Sequence, residues 1–296
     1  MRLVPLLVAA ALAATTVSVA RPSDRAASVS GLIAFASDRD GDFDIWTMRP
    51  DGSRLRKLTK NRLEDRCPSW SPNGRWIAYT RRGVHLPDLY VMRRDGSGVR
   101  RVAKLRGTET CPTWSRDGKR LVFTRFDTSS PDVFTIGING RGLRRLTKLH
   151  DAWEIAASAR TGRIAYECRY PPETGGNICT MRADGGDRRR LTNSVPTETY
   201  SHPAWSRDAG RLVFTDNREG NDDVFTMSAS GSGVVRITRT GTNEADPDWS
   251  PDGRRLVWAG AGARGLPDLF VANADGSGVR RLTSWRRIDR EPAWTR

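Results

Sequence analysis

The chain has few of the side chains on which most hydrolytic and metal chemistry depends. It contains only three histidines, His85, His150 and His202, so a three-histidine metal site would need all of them to converge. The chain has no Gly-x-Ser-x-Gly elbow and no Cys-x-x-Cys pair, and its Asp-Gly-Ser-Gly runs at 95–98 and 275–278 are typical of hairpin turns. Serine-hydrolase, redox and zinc chemistry therefore have no support in the sequence.

Long apolar runs are also scarce. The apolar run at 3–14 is too short to span a membrane, and it lies between Arg2 and the small residues Ser18-Val19-Ala20. We therefore predict a signal peptide at 1–20, with no cysteine after the cut for a lipid anchor, and a polar tether at 21–30. The mature protein is expected to be exported, periplasmic or extracellular, and without a membrane span.

Lysine is rare although the chain is strongly basic. Lys and Arg together number 49 against 34 acidic residues, for a net charge of +15, and lysine occurs only at 57, 60, 104, 119 and 148. Many arginines are adjacent, as at 100–101, 144–145, 188–190 and 280–281. We interpret them mainly as protection of outer sheet edges, and attraction to an acidic envelope polymer remains the alternative. Nucleic acid is not expected, because the arginines are spread round the repeats.

A repeated motif dominates the rest of the chain. The stretch Cys-Pro-Ser-Trp-Ser-Pro-Asn-Gly-Arg-Trp-Ile-Ala-Tyr at 67–79 returns in weaker form at 111–118, 202–206, 246–253 and 291–295, with a degenerate copy at 156–162. Its turn glycines Gly74, Gly118 and Gly162 follow one another at intervals of 44 residues. Such a period indicates one small unit that buries its apolar faces against its neighbours.

Each unit predicts a four-stranded meander. Short β-rich runs follow the motif and are separated by Asp-Gly or Asn-Gly turns. The runs at 32–36, 44–48 and 55–59 lack a motif strand, whereas 292–294 is a motif strand without followers. The sequence therefore predicts an all-β, six-bladed β-propeller over 31–296. Its four-stranded antiparallel blades form a ring that closes when the C-terminal strand joins the N-terminal three.

The Pro-x-Trp-Ser-Pro-Asp-Gly repeats resemble those of the TolB-like β-propeller family, which is built from WD40-like PD40 repeats. The resemblance covers about residues 31–295 and implies the fold, whereas the motif residues supply a strand, a turn and a packing tryptophan and say little about function. TolB carries a further domain before its propeller, for which this chain leaves no room, so its role in the Tol–Pal system is not expected to transfer. We assign the repeat tryptophans to packing between blades: Trp70, Trp114, Trp205, Trp249 and Trp294.

Four cysteines suit an oxidising compartment. Cys168 ends the second strand of a predicted blade and Cys179 lies in the third, so hairpin pairing brings them together and we predict a disulfide. Cys67 and Cys111 occupy the same position in neighbouring repeats, where they can also bridge.

Acidic residues precede the motif proline in most repeats. They stand three positions before it in four copies and one position before it in two: Asp65, Glu109, Glu244 and Asp289, then Asp246 and Glu291. Because these segments enter the innermost strands, we predict an acidic collar at one mouth of the central channel. Two roles remain open, namely binding of a cationic ligand or metal and capping of turns near the axis.

A second acidic run lies near the start of the propeller. Asp38, Asp40, Asp42 and Asp44 alternate around Gly41, as oxygen ligands of calcium can. The run lacks the distal glutamate of an EF-hand, and we interpret it as a hairpin turn. Calcium or another divalent metal is the weaker alternative, and no other cofactor is expected.

The sequence therefore predicts a non-catalytic, monomeric, exported scaffold that binds a protein, a peptide or an envelope polymer. The alternative is a metal-dependent small-molecule enzyme of the lactonase or polysaccharide lyase type that uses the acidic collar.

Overall fold

The computed structural model describes residues 31–83, 86–105, 107–126, 131–148, 152–169, 175–262, 264–284 and 286–295. Over these segments the chain forms six four-stranded antiparallel sheets. The predicted signal peptide and tether, together with His85 and His150, lie outside the described residues.

The strands follow the repeat, and the last strand of each blade has only two residues. Blade 1 contains β1 (Ile33–Ser37), β2 (Asp44–Met48) and β3 (Arg56–Lys57); blade 2 contains β4 (Glu64–Trp70), β5 (Trp76–Arg82), β6 (Asp88–Arg93) and β7 (Arg100–Arg101); blade 3 contains β8 (Thr108–Trp114), β9 (Arg120–Phe126), β10 (Pro131–Gly137) and β11 (Arg144–Arg145). Blade 4 contains β12 (Ala152–Ala157), β13 (Ile164–Cys168), β14 (Asn177–Met181) and β15 (Arg189–Arg190); blade 5 contains β16 (Tyr200–Trp205), β17 (Arg211–Asp216), β18 (Asp223–Ser228) and β19 (Val235–Arg236). Blade 6 contains β20 (Glu244–Trp249), β21 (Arg255–Ala261), β22 (Pro267–Asn273) and β23 (Arg280–Arg281), and β24 (Asp289–Trp294) follows.

The predicted ring closure is confirmed. Strand β24 pairs antiparallel with β1, with Trp294 opposite Ile33, and so completes blade 1. Two hydrogen bonds of 2.9 Å extend this pairing, from Thr295 N to Leu32 O and from Leu32 N to Thr295 Oγ1. The first strand of each blade contacts the first strands of both neighbouring blades, so these strands surround the axis.

The hydrophobic core lies between blades rather than inside any one of them. The apolar clusters combine residues of adjacent sheets, such as Val257 and Leu269 of blade 6 with Phe35 and Trp294 of blade 1. The five repeat tryptophans are all buried. A four-stranded sheet has two faces to cover, and stacking against both neighbours covers them without exposing long edges.

The two faces of the ring are built differently. On the turn face lie the tight turns that join the first strand to the second and the third to the fourth. On the opposite loop face lie the starts of the first and third strands, because Glu64 pairs with Arg82 and Arg81 pairs with Asp88. The acidic residues before the motif proline therefore enter the ring from the loop face.

The fourth-strand arginines tie the ring together. The second residue of this strand is basic and in five blades bonds a carboxylate at the head of the third strand, as Arg236 does to Asp223 at 2.6 Å. The first reaches the next blade, as when Arg100 Nη1 donates to Ile138 O at 2.6 Å. Arg56, Arg144 and Arg280 make equivalent bonds to backbone carbonyls of adjacent blades. Much of the arginine content thus serves cohesion between blades.

Candidate functional site

Each innermost strand contains a bulge directly before the motif proline position. The bulge residues all have positive φ without being glycine: Cys67 (52°), Cys111 (39°), Glu154 (24°), His202 (49°), Asp246 (54°) and Glu291 (55°). The pairing register of every first strand shifts at this point. Because a bulge inserts an extra residue, it redirects a side chain that regular alternation would place elsewhere.

The redirected side chains surround the central channel. All six bulge residues line one cavity of about 140 Å³, together with the residues that follow them in each first strand. Non-glycine residues in the left-handed region cost on the order of 1–3 kcal/mol each and persist where the surrounding fold holds them. The ring therefore stabilises six such positions to present side chains to one polar channel.

The channel side chains interact with one another. His202 Nε2 lies 3.3 Å from Asp246 Oδ1. Glu291 accepts bonds from Arg66 Nη2 at 2.6 Å and from Cys67 N at 2.7 Å. The charges of Asp246 and Glu291 are thus largely compensated inside the channel wall, and Glu154 adds a further carboxyl group.

Burial and neighbouring charges act together on these groups. Burial alone would lower the pKa of His202, but the carboxylates of Asp246 and Glu154 outweigh it and hold that pKa above its usual value. Burial raises the pKa of Glu154, and it also raises that of Glu291 against the opposing effect of Arg66. These shifts favour the protonated forms of the imidazole and of the two carboxyl groups, so the channel carries less negative charge than the sequence implies.

The predicted collar is divided between two places. Asp246 and Glu291 line the channel cavity, whereas the four residues three positions before the proline do not. All three of Asp65, Glu244 and Asp289 are buried, the first and last against arginines of their own blades and Glu244 against the connection from blade 5. Asp65 bonds Arg81 at 2.6 Å, Asp289 bonds Arg39 at 2.8 Å, and Glu244 accepts from Thr238 at 2.9 Å. These three carboxylates stabilise the blades.

Glu154 was missed by the sequence reasoning. Its repeat, the degenerate copy, has Ile155 where the others have proline and Ala157 where they have tryptophan. Counting back from Ser158, which corresponds to the serine of each motif, would have placed Glu154 at the bulge position.

Two disulfides are present. Cys67 and Cys111 join the bulges of blades 2 and 3, with Cα atoms 4.8 Å apart. Cys168 and Cys179 join β13 to β14 within blade 4, with Cα atoms 5.8 Å apart. The first bond lies in the channel wall, where it covalently fixes two of the six bulges.

A second cavity, of about 280 Å³, opens on the loop face between blades 2 and 3 and shares Cys67, Cys111, Glu154 and Glu291 with the channel. Phe126 and Trp153 form part of its wall, with ring centroids 5.2 Å apart. Within the described part of the chain, three residues that line it carry buried polar atoms without a hydrogen-bond partner: both oxygens of Glu109, Nε1 of Trp153 and Nε of Arg66. We call this space the interblade cavity.

Glu109 is a strongly perturbed carboxyl group of the interblade cavity. Glu109 is only 1% exposed to solvent. Burial raises the pKa of Glu109 to about 7, and the nearby Asp88 carboxylate acts in the same direction, against Arg125. The group therefore changes charge near neutral pH and can either donate or accept a hydrogen bond.

The aspartates of the predicted calcium run bond to different partners. Asp44 accepts from Thr59 Oγ1 at 2.8 Å and shares Lys57 with Asp40, each at 2.5 Å. Asp38 accepts from Ile288 N at 2.7 Å. Among the described residues no group of three or more His, Cys, Asp or Glu is arranged to hold a metal ion.

The chain matches a family model, the TolB beta propeller domain, over residues 30–148 and 163–263. Because the match spans most of the chain, the protein belongs to this family. It is 36% identical over 84 residues to the Tol-Pal system protein TolB of Geobacter sulfurreducens, which is 28% of this chain and 18% of that protein. It is 39% identical over 57 residues to TolB of Desulfosudis oleivorans, which is 19% of this chain and 13% of that protein. Each match spans less than a fifth of the relative's length.

Solved structures share the fold. TolB from Acinetobacter baumannii superposes with a TM-score of 0.79 at 21% identity, over 90% of this chain and 67% of that one. An oligogalacturonate lyase from Vibrio parahaemolyticus gives a TM-score of 0.59 at 14% identity, over 85% of this chain and 74% of that one. At these identities the likeness is one of fold. In the described segments no helix is long and apolar enough to cross a membrane.

Proposed function

We propose that the protein is an exported, non-catalytic propeller whose loop face binds a segment of a partner protein at the interblade cavity and the adjoining channel. Membership of the TolB propeller family supports a binding scaffold. The Tol-Pal name of its relatives supports a partner in the cell envelope. The apolar run after Arg2 supports export to a periplasmic or extracellular site.

The observation that carries the proposal is the set of unpartnered polar groups in the interblade cavity. Buried polar groups in folded proteins are almost always hydrogen-bonded, and each exception calls for an explanation. Trp153 Nε1 and Arg66 Nε are donors, and Glu109 supplies acceptor oxygens. A peptide backbone presents both a carbonyl acceptor and an N–H donor, so it complements this set.

The cavity also offers apolar contact. The edge-to-face pair of Phe126 and Trp153 provides a wall for a hydrophobic side chain next to the polar groups. Ligand pockets commonly combine such walls with a few placed polar groups, and the volume of about 280 Å³ lies near the lower end of their range. It suits one or two residues of a partner rather than a whole domain.

A capture experiment tests the proposal. The mature protein is immobilised, exposed to an envelope extract of the source cell, crosslinked, and its enriched proteins are identified by mass spectrometry. Trp153→Phe keeps an aromatic ring but removes the indole N–H donor, and a buried hydrogen bond from that donor is worth about 1 kcal/mol or more. We expect the partner to be retained by the wild type and to fall at least several-fold with Trp153→Phe.

Trp46→Phe is the matched control. Trp46 also has a buried, unpartnered Nε1 in the described structure, but it lies in blade 1 and does not line the cavity. Equal capture by the wild type and both variants contradicts the proposed site. Failure to enrich any envelope protein contradicts the scaffold function itself.

The metal-dependent enzyme remains the alternative, because an oligogalacturonate lyase shares the fold. The described residues contain no three-ligand cluster to which a metal-assisted step could be assigned. Turnover of an oligogalacturonate that is lost on addition of a chelator would favour the enzyme over the scaffold.

A further inference from the structure

The turn face carries a ring of exposed basic side chains close to the axis. They occur in the turns between the first and second strands of blades 2 to 6: Arg75, Arg116, Lys119, Arg160, Arg207 and Arg254. Three of these turns also contain an aspartate, but its carboxylate accepts bonds from the serine hydroxyl and a backbone N–H of the same turn, as Asp208 does at 2.6 and 3.0 Å. We call the six cations the basic ring.

A second ring, of exposed aliphatic side chains, surrounds the first. In five blades the turn between the third and fourth strands ends on such a residue: Leu55 (38% exposed), Val99 (41%), Leu143 (41%), Val234 (41%) and Val279 (54%). Single exposed apolar residues need no explanation, but these recur at one position of the repeat and on one face. We call them the aliphatic ring.

The arrangement of the two rings favours a planar partner. The cations recur blade by blade around an axis, whereas a polymer groove would gather them into a stripe. The large hydrophobic residues that are exposed in the described segments include no aromatic side chain. They therefore provide no surface on which the bases of a nucleic acid could stack. A bilayer surface, in contrast, presents negative headgroups above an apolar layer.

We propose that the turn face docks onto the surface of an anionic lipid bilayer. The basic ring is attracted to the headgroups, and the aliphatic ring enters the interfacial region. This surface lies opposite the loop face, so the protein can rest on a membrane while its channel and interblade cavity remain open. Docking by the turn face does not depend on the proposed partner site.

Vesicle co-sedimentation tests the docking. Vesicles of phosphatidylglycerol and phosphatidylcholine are compared with vesicles of phosphatidylcholine alone at several salt concentrations. Each basic residue near an anionic surface contributes roughly fivefold in affinity, so the triple variant Arg75→Ser/Arg116→Ser/Arg207→Ser should bind on the order of 100-fold more weakly. Binding of the wild type should also weaken with salt, because screening shortens the reach of the charges.

A charge-matched control distinguishes binding by the turn face from attraction by the net charge of the whole protein. Arg62, Arg239 and Arg286 are exposed in the loop-face connections between blades. The triple variant Arg62→Ser/Arg239→Ser/Arg286→Ser loses the same charge and should retain wild-type binding. At high salt, the variant Val99→Ser/Val234→Ser/Val279→Ser should bind the vesicles with an affinity severalfold lower than that of the wild type.

Three results would overturn the docking. Equal losses in the two arginine variants would assign the attraction to overall charge, and equal binding to both vesicle types would remove the role of the headgroups. Tight binding of the soluble polyanion polygalacturonate, with no effect of the valine substitutions on vesicle binding, would assign the face to a polymer. Circular dichroism of each variant checks that the ring still folds.

Discussion

Blades 2 and 3 carry the same pattern around one buried carboxyl group but satisfy it differently. In blade 2, Asp65 accepts two bonds from Arg81, at 2.6 and 2.9 Å. Arg81 is itself held by the Tyr79 hydroxyl at 3.1 Å. The carboxylate of Asp65 is therefore a fixed part of its blade.

In blade 3, Glu109 stands opposite Arg125 in the equivalent register, yet neither oxygen of Glu109 has a hydrogen-bond partner in the described structure. The guanidinium of Arg125 lies over the Phe134 ring, 4.8 Å from its centroid. Phe123 occupies the position of Tyr79 and offers no hydroxyl. Blade 3 has phenylalanine in place of both Tyr79 and Tyr90, and so lacks the hydroxyl that bonds Arg81 in blade 2. Its carboxyl group lines a cavity, whereas that of blade 2 is structural.

The difference shows how a repeat protein can separate stability from function. Equivalent strand positions place an aspartate in blade 2 and the longer glutamate in blade 3, and the neighbouring side chains differ as well. A buried group without a partner costs stability, which the disulfide between blades 2 and 3 can help to offset.

The largest effect is expected from Asp65→Asn. The substitution leaves the Arg81 guanidinium, whose side chain is 15% exposed, without its charged partner. Breaking a buried ion pair from one side typically costs about 3–5 kcal/mol. Urea denaturation at pH 7 measures the loss, and a change below about 1 kcal/mol would show that the pair does not stabilise blade 2.

Glu109→Gln should instead stabilise the folded protein at and above neutral pH. Because the folded pKa of about 7 lies above the usual 4.5, the folded protein binds more protons than the unfolded chain between these values, and wild-type stability falls as pH rises through them. The loss amounts to about 3 kcal/mol by pH 8, and glutamine removes it. Denaturation at pH 5 and pH 8 should therefore give a flatter profile for the variant. Parallel profiles would contradict the raised pKa of Glu109.

The ring itself could be derived from the sequence because its determinants are local. The turn residues and the repeat spacing predict strands one by one, and the unpaired strands at the two chain ends then predict the closure by β24. Each such signal lies within a few residues of the structure it specifies, so no long-range contact had to be known.

The channel side chains could not be assigned in the same way. We placed Asp65 and Asp246 in one collar because their segments enter the innermost strands, and in a regular strand residues three and one positions before the proline do share a face. The bulge breaks this alternation, because an extra residue turns Asp246 toward the axis while Asp65 stays inside its blade. Whether the carboxyl groups of Asp65 and Glu109 are bonded depends in addition on Tyr79 and Phe123, which lie on other strands.

The smallest expected effect comes from a substitution that makes blade 3 resemble blade 2. In Phe123→Tyr, the new hydroxyl occupies the position from which Tyr79 holds Arg81, so it should draw Arg125 toward Glu109. A closer guanidinium favours the ionised carboxylate, and we expect the pKa of Glu109 to fall by about one unit, equivalent to about 1.4 kcal/mol. Carboxyl NMR titration measures this, with Phe134→Tyr as the control that adds a hydroxyl on the next strand. An unchanged pKa in Phe123→Tyr would mean that the missing hydroxyl does not explain why the two blades differ.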